Sequence, residues 1–190
     1  MTKRFGRTIA LAPVDLTVAS GEAVAIVGEN GAGKSTLLRI CAGLITPSSG
    51  TVEVHGRIGY CPQDAGLLEL LTADEHLVVF GRAAGLTREA AQAEGRDLLV
   101  QLGFRDGSTQ VRHLSGGNRQ KLNLVLALLG HRAVLLLDEP YQGFDRGTYI
   151  DFWDHVGGWC RDGKAVVVVT HMLNDLDRVN RVVELRAATP

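Results

Sequence analysis

The sequence predicts an α/β protein with a mostly parallel sheet, helices on both faces and a small antiparallel portion. Two apolar runs of strand length, residues 133–137 and 165–169, have the composition of strands that are buried on both faces. A third apolar run, residues 23–27, leads through a glycine-rich stretch into a helical pattern. Strands that alternate with helices in this way pair in parallel and end at one edge of the sheet.

The N-terminal third predicts the antiparallel portion of the fold. Apolar residues alternate within residues 7–18 and indicate two short strands on either side of Pro13. Residues 51–55 alternate as a further strand, and residues 57–60 as another, which Pro62 ends.

Residues 67–110 interrupt this pattern and predict helices. Thr72 and Glu75 have the spacing of a capping box, and Thr87 begins a second helix that runs to about Leu102. We therefore predict a single domain in which a helical subdomain, residues 67–110, is inserted into a core of residues 1–66 and 111–190. Later helices are predicted from 118 to about 129 and from 145 to about 160, followed by a short helix and a last strand at 182–185.

Composition restricts the class of protein. The chain has 190 residues and a net charge of -1 at pH 7, which argues against a nucleic-acid-binding surface that depends on bulk charge. No apolar run approaches the ~20 residues that cross a bilayer, and the first residues lack the apolar core of a signal peptide. Cys41, Cys61 and Cys160 lie far apart in the sequence and indicate reduced thiols, so we expect a cytoplasmic protein.

The glycine-rich stretch fits the phosphate-binding loop pattern G-x-x-x-x-G-K-[ST] without a mismatch. Its residues are Gly28, Glu29, Asn30, Gly31, Ala32, Gly33, Lys34, Ser35 and Thr36. The glycines permit the close approach of a cradle of N–H groups to a polyphosphate. Lys34 supplies a cation for the β- and γ-phosphates, and the Ser35 hydroxyl is a ligand for Mg²⁺. The alternative, a glycine-rich turn that binds nothing, does not account for Gly-Lys-Ser at a strand–helix junction.

Polar residues follow other predicted strands, and Gly28 also lies at a strand end. We expect one candidate site to collect them all. Asp138 would hold Mg²⁺ through water, and Glu139 would act as general base toward an attacking water. Gln63 could reach Mg²⁺ and that water, and His171 could hydrogen-bond the γ-phosphate. Each has a structural alternative: the acidic pair could cap the next helix, Gln63 could be a surface residue and His171 could be purely structural.

Taken together, these residues resemble the ATP-binding-cassette ATPases over essentially the whole chain. The resemblance rests on the phosphate loop, Gln63, residues 114–120 (Leu-Ser-Gly-Gly-Asn-Arg-Gln), residues 138–140 (Asp-Glu-Pro), Asp145 and His171. The Leu-Ser-Gly-Gly stretch is the most specific part, because phosphate-loop kinases and GTPases lack it. The resemblance implies a RecA-like phosphate-loop fold that binds and hydrolyses ATP with Mg²⁺.

The resemblance also implies partners. Two cassettes, identical or different, pair head to tail, so that Ser115, Gly116 and Gly117 of one approach the γ-phosphate held by Lys34 of the other. Phe5 matches the aromatic residue that stacks on adenine, and Asp145 matches a residue that contacts the second cassette. The helical subdomain, with Gln63 at its hinge, would couple the state of ATP to a transmembrane permease on the inner face of the cell membrane.

Several alternatives stay open at this point. The residues after 70 resemble export-type bacterial cassettes, but an importer is not excluded. A soluble cassette with a long coiled coil is disfavoured, because residues 64–113 carry no sustained heptads. A binding module without hydrolysis is opposed by Lys34, Glu139 and His171. The chain departs from the family at the shortened segment 54–63, at Asn118 and at residues 141–145. We also expect no C-terminal regulatory domain.

Overall fold

The computed structural model describes residues 1–172 and 176–187. The strands are β1 (Lys3–Phe5), β2 (Thr8–Leu11), β3 (Ala23–Gly28), β4 (Ile58–Cys61), β5 (Val134–Asp138), β6 (Ala165–Val169) and β7 (Arg181–Leu185). The helices are α1 (Lys34–Cys41), α2 (Ala73–Ala83), α3 (Arg88–Gln101), α4 (Gly116–Leu128) and α5 (Arg146–Arg161), with short 3₁₀ turns at Val111–His113 and Leu176–Arg178. No helix within the described residues is long and apolar enough to span a membrane.

The centre of the molecule is a five-stranded sheet in the order β4-β5-β6-β3-β7, and every pair in it is parallel. In the register, Leu136 lies beside Val167, and Ala25 lies beside Val168. The strands β3 and β6 are buried almost throughout, which is why they consist of continuous apolar residues rather than an alternating pattern.

Successive residues of each strand point to opposite faces, and each face has its own core. Leu135 and Val166 face α4 and α5, whereas Leu136 and Val167 face α1 and β2. Helices therefore cover both faces of a mostly parallel sheet, and β1 and β2 form a separate antiparallel pair. The predicted fold class is confirmed.

Four helices begin at a residue that the sequence marks as an N-cap. Thr72 and Glu75 form a reciprocal capping box at the start of α2. The side chains of Thr87, Ser115 and Asp145 each accept a hydrogen bond from the backbone N–H three residues later. The short polar side chain before each apolar helix face was therefore an accurate predictor of where these helices begin.

Two predicted strands do not form. Residues 12–19 and residues 51–55 have no strand pairing, and β1 with β2 supplies the antiparallel portion instead. Their alternating apolar side chains nevertheless pack on the core beside α1, including Leu16, Val18 and Val52. Alternation therefore indicated which side chains are covered, but it could not indicate whether a neighbouring backbone was available to pair. The predicted short helix after His171 lies partly outside the described residues.

Candidate functional site

A cleft of about 770 Å³ lies at the carboxyl ends of the parallel strands. The predicted site residues that line it are Asn30, Gly31, Gly33, Lys34, Ser35, Thr36, Gln63, Asp138, Glu139 and His171. They come from four separate segments of the chain, and the parallel sheet brings those segments together because β4, β5, β6 and β3 are consecutive in it. Gly28, Glu29 and Ala32 belong to the same loop but are not among the lining residues.

The loop between β3 and α1 has a backbone that only glycine tolerates at two points. Gly28 has φ 145°, and a Cβ there would lie 2.2 Å from the carbonyl oxygen of Leu185. Gly33 has φ 93°, and its Cβ would lie 2.3 Å from the carbonyl oxygen of Ala10. The Lys34 ammonium donates to the carbonyl oxygens of Gly28 at 2.6 Å and Glu29 at 3.0 Å, so a cation lies inside the loop.

Asp138 is 2% exposed at the end of β5. Burial raises the pKa of its carboxyl, against a hydrogen bond from the Ser35 hydroxyl and the charges of Arg39 and Lys34. One of its oxygens, Oδ1, is buried without a hydrogen-bond partner. A buried carboxylate beside a serine hydroxyl is a set of hard oxygen donors, which suits Mg²⁺. The residues present therefore fit this ion.

Glu139 and His171 contact each other across the same cleft. Glu139 Oε1 lies 2.8 Å from His171 Nδ1, and the other carboxylate oxygen, Oε2, is buried without a partner. Glu139 has φ 49°, a left-handed conformation that non-glycine residues seldom adopt and that is concentrated at functional sites. Its backbone N–H is fixed by the Val169 carbonyl at 3.1 Å. A carboxylate held this way can accept a proton from a water molecule.

Two groups of predicted site residues lie outside the cleft. Phe5 is 55% exposed on β1, with the Lys3 ammonium 4.9 Å from the centre of its ring. Ser115 and Gly116 are exposed at the start of α4, where Ser115 Oγ accepts the Asn118 N–H at 3.2 Å. Neither group lines the cleft.

The sequence did not indicate every residue of the cleft. Thr8, Ile9 and Ala10 of β2 line one wall, which follows from the contact between Gly33 and Ala10. Gln142 lines another wall, and it lies in the stretch that departs from the family pattern. The departure from the family pattern was the sequence signal for Gln142. No sequence signal marked Thr8, Ile9 and Ala10 of β2, because these residue types carry no distinctive chemistry.

Three features of this cleft define a protein of the phosphate-loop class. They are a phosphate loop after a buried strand, an acidic pair at the end of β5 and a histidine after β6. A family model described as ABC transporter matches residues 11–142. The chain therefore belongs to the ABC transporter family, as an ATP-binding cassette domain.

Named relatives and solved structures agree with this assignment. The chain is 36% identical to the daunorubicin resistance ATP-binding protein DrrA3 of Streptomyces coeruleorubidus, over 93% of this chain and 60% of that protein. It is 33% identical to the Nod factor export ATP-binding protein I of Burkholderia lata, over 93% and 62%. The chain thus spans less than two thirds of the length of these relatives.

Two solved structures have the same fold over nearly the whole chain. One is the dimeric cassette MJ0796, with a TM-score of 0.86 and 27% identity over 98% of this chain and 91% of that one. The other is the same cassette in a post-hydrolysis state bound to ADP and Pi, with a TM-score of 0.86 and 27% identity over 99% and 93%.

Proposed function

We propose that this chain is the ATP-hydrolysing unit of a membrane transporter, and that an exporter is the best-supported type. The observation that carries the proposal is the convergence of Lys34, Asp138, Glu139 and His171 on one cleft. The relatives named for daunorubicin resistance and for Nod factor export support the direction of transport.

In this proposal the phosphate loop holds the triphosphate. The N–H groups of residues 28–36 and the start of α1 face the phosphates, and the Lys34 ammonium exchanges its two carbonyl partners for phosphate oxygens. Ser35 and Asp138, with Gln63 at the edge, would hold Mg²⁺, which would supply positive charge beside the phosphate oxygens. Phe5 stacks on the adenine.

Hydrolysis then depends on the pair of Glu139 and His171. The Glu139 carboxylate accepts the proton of the attacking water as that oxygen bonds to the γ-phosphorus. His171 orients Glu139 through the 2.8-Å contact and contacts the γ-phosphate. Because Glu139 is buried and its backbone N–H is held by the Val169 carbonyl, the water meets a base whose position is set before ATP arrives.

A second cassette would complete the site. Ser115, Gly116 and Gly117 present N–H groups at a helix start, which attract anions, yet they do not line this chain's own cleft. A head-to-tail pair would place them on the γ-phosphate of the partner, with Asp145 at the contact. The dimeric structure of the MJ0796 cassette supports this arrangement.

A transmembrane permease is the other proposed partner. A groove of about 430 Å³ runs between α4 and the helical subdomain, residues 67–110, and its lining includes Leu44, Pro62, Asp64 and Phe80. Leu44 is 62% exposed and Phe80 is 39% exposed, which is typical of an interaction surface. Pro62 and Asp64 flank Gln63, which lines the ATP cleft, so the groove and the cleft share one segment. The chain would thus sit on the inner face of the membrane.

Membrane sedimentation tests the transporter assignment. The chain is expressed in its native host, where we expect it in the membrane fraction. Phe80→Glu should release it into the soluble fraction, since a charge would enter the apolar groove. Val100→Glu is the matched control, because Val100 is also exposed and apolar but does not line the groove. Equal sedimentation of all three forms would contradict the permease contact, and a chain that never sediments would favour a soluble cassette.

A further inference from the structure

We propose that Tyr141 is a positioning residue that holds His171 against Glu139. This inference rests on the proposed ATP hydrolysis and adds a residue to it. Tyr141 lies two residues after Glu139, and its hydroxyl donates a hydrogen bond to the hydroxyl of Thr170, the residue before His171. The Tyr141 side chain therefore connects the segment of the general base to the segment of the histidine.

The Thr170 hydroxyl organises the turn on which His171 lies. It accepts a hydrogen bond from the backbone N–H of Met172 at 2.9 Å. It also donates to the Met172 carbonyl oxygen, with 3.3 Å between the two oxygens. Thr170 is fully buried, whereas the His171 side chain is 64% exposed. Little packing restrains the imidazole, so its orientation depends on the turn beneath it.

The ring of Tyr141 is held from the other side by α5. Tyr141 is 4% exposed, and its ring centre lies 5.0 Å from that of Tyr149 and 5.5 Å from that of Phe152, both in edge-on geometry. The Trp153 ring follows at 6.2 Å. Aromatic packing of this kind restricts the ring and so fixes the position of its hydroxyl.

Glu139 and the histidine turn are consequently joined at three levels. The backbone joins them through the Glu139 N–H and the Val169 carbonyl, and the side chains join them through the 2.8-Å contact to His171. The hydrogen bond between Tyr141 and Thr170 is the third link, and it is buried. Tyr141 also belongs to residues 141–145, where the chain departs from the family pattern.

The test removes one hydroxyl without removing the ring. Tyr141→Phe should lower kcat for ATP hydrolysis about tenfold, the loss expected for a buried hydrogen bond, with KM changed less than twofold. Thr170→Val should behave in the same way, and Thr170→Ser should recover most of that loss. Tyr60→Phe is the matched control, because it removes a hydroxyl from a tyrosine on β4 and leaves the hydrogen bond between Tyr141 and Thr170 in place. Thermal unfolding of each variant identifies any that fold poorly.

The His171→Ala background separates positioning from a general structural effect. If Tyr141 acts through His171, then Tyr141→Phe should not slow the His171→Ala protein further in a radiometric single-turnover assay. An additional tenfold loss there, or a wild-type rate for Tyr141→Phe, would overturn the inference and leave the proposed function intact. A wild-type protein that does not hydrolyse ATP would overturn both.

Discussion

The ATP cleft and the start of α4 are two anion-attracting regions of one chain, and they differ in completeness. The cleft collects the Lys34 cation, the buried Asp138 carboxylate and the pair of Glu139 and His171 around a single volume. The start of α4 has only the Ser115 cap and exposed backbone N–H groups. Arg119, in the first turn of α4, is paired with Glu69 at 3.0 Å, and none of residues 115–117 lines the cleft.

This difference indicates that the two regions have different functions. The cleft holds groups that can bind a triphosphate and activate water, whereas the helix start can only stabilise negative charge that is brought to it. We therefore assign the chemistry of hydrolysis to the cleft and completion of the partner's site to the start of α4.

The largest effect should come from Glu139→Gln. Hydrolysis should fall at least ~100-fold, because the amide cannot accept the proton of water, while ATP still binds. Phosphate release measures the rate and calorimetry measures the binding. Glu184→Gln, at an exposed position on β7, should hydrolyse ATP normally. An unchanged rate in Glu139→Gln would remove that carboxylate from the role of general base.

Lys34→Ala should weaken ATP binding by about 10- to 100-fold, since it removes charge-assisted hydrogen bonds to phosphate. Isothermal calorimetry gives the affinity directly. Lys164→Ala is a suitable control, because Lys164 precedes the amino end of β6, at the edge of the sheet opposite the cleft. Affinity retained in Lys34→Ala would contradict the phosphate cradle.

Ser115→Arg acts on the other region. The bulky cation should block association with a second cassette, because it would meet the partner's Lys34, while ATP binding to the monomer is kept. Sedimentation velocity with ATP, in the Glu139→Gln background, reports the association. Thr87→Arg alters the N-cap of α3 in the same way, and a dimer should still form there. Association of Ser115→Arg at wild-type strength would exclude the helix start from the contact.

Asp138→Asn should raise the melting temperature of the nucleotide-free protein. Burial raises the pKa of this carboxyl, which means that the buried carboxylate destabilises the folded state. The gain should be roughly 0.5–2 kcal/mol in unfolding free energy, at the cost of Mg²⁺-dependent ATP affinity. A lower melting temperature would show that the charge is stabilised by its neighbours instead.

The smallest expected change in stability comes from removing the N-cap side chain of α4 or of α3. Ser115→Ala and Thr87→Ala each remove one N-cap hydrogen bond, both 3.2 Å long, and each should cost about 1 kcal/mol of unfolding free energy. Chemical denaturation measures both losses. Only Ser115→Ala should also weaken ATP-dependent association. If the two variants associate equally well, the Ser115 side chain is a helix cap and nothing more.

Much of the fold was predictable, because strong local signals coincided with tertiary demands. The buried runs of β5 and β6 and the caps at Thr72, Thr87 and Ser115 were all found at or near their predicted positions. Residues 51–55 failed as a strand, since strand formation also requires a partner backbone that no local pattern encodes.

The site was predictable to a similar degree and for a similar reason. Lys34, Asp138 and Glu139 carry chemistry at strand ends, so topology alone brings them together. The hydrogen bond between Tyr141 and Thr170 joins residues 29 positions apart, and no motif marks it. The roles of all these residues in ATP hydrolysis are predictions, which the substitutions described above test.

The claim that one chain holds only half of each complete site is tested most directly by the mass of Glu139→Gln in solution. Multi-angle light scattering should give the mass of a single 20.4-kDa chain without nucleotide and twice that mass with ATP and Mg²⁺. A single-chain mass under both conditions, with ATP binding demonstrated in the same sample, would contradict the account.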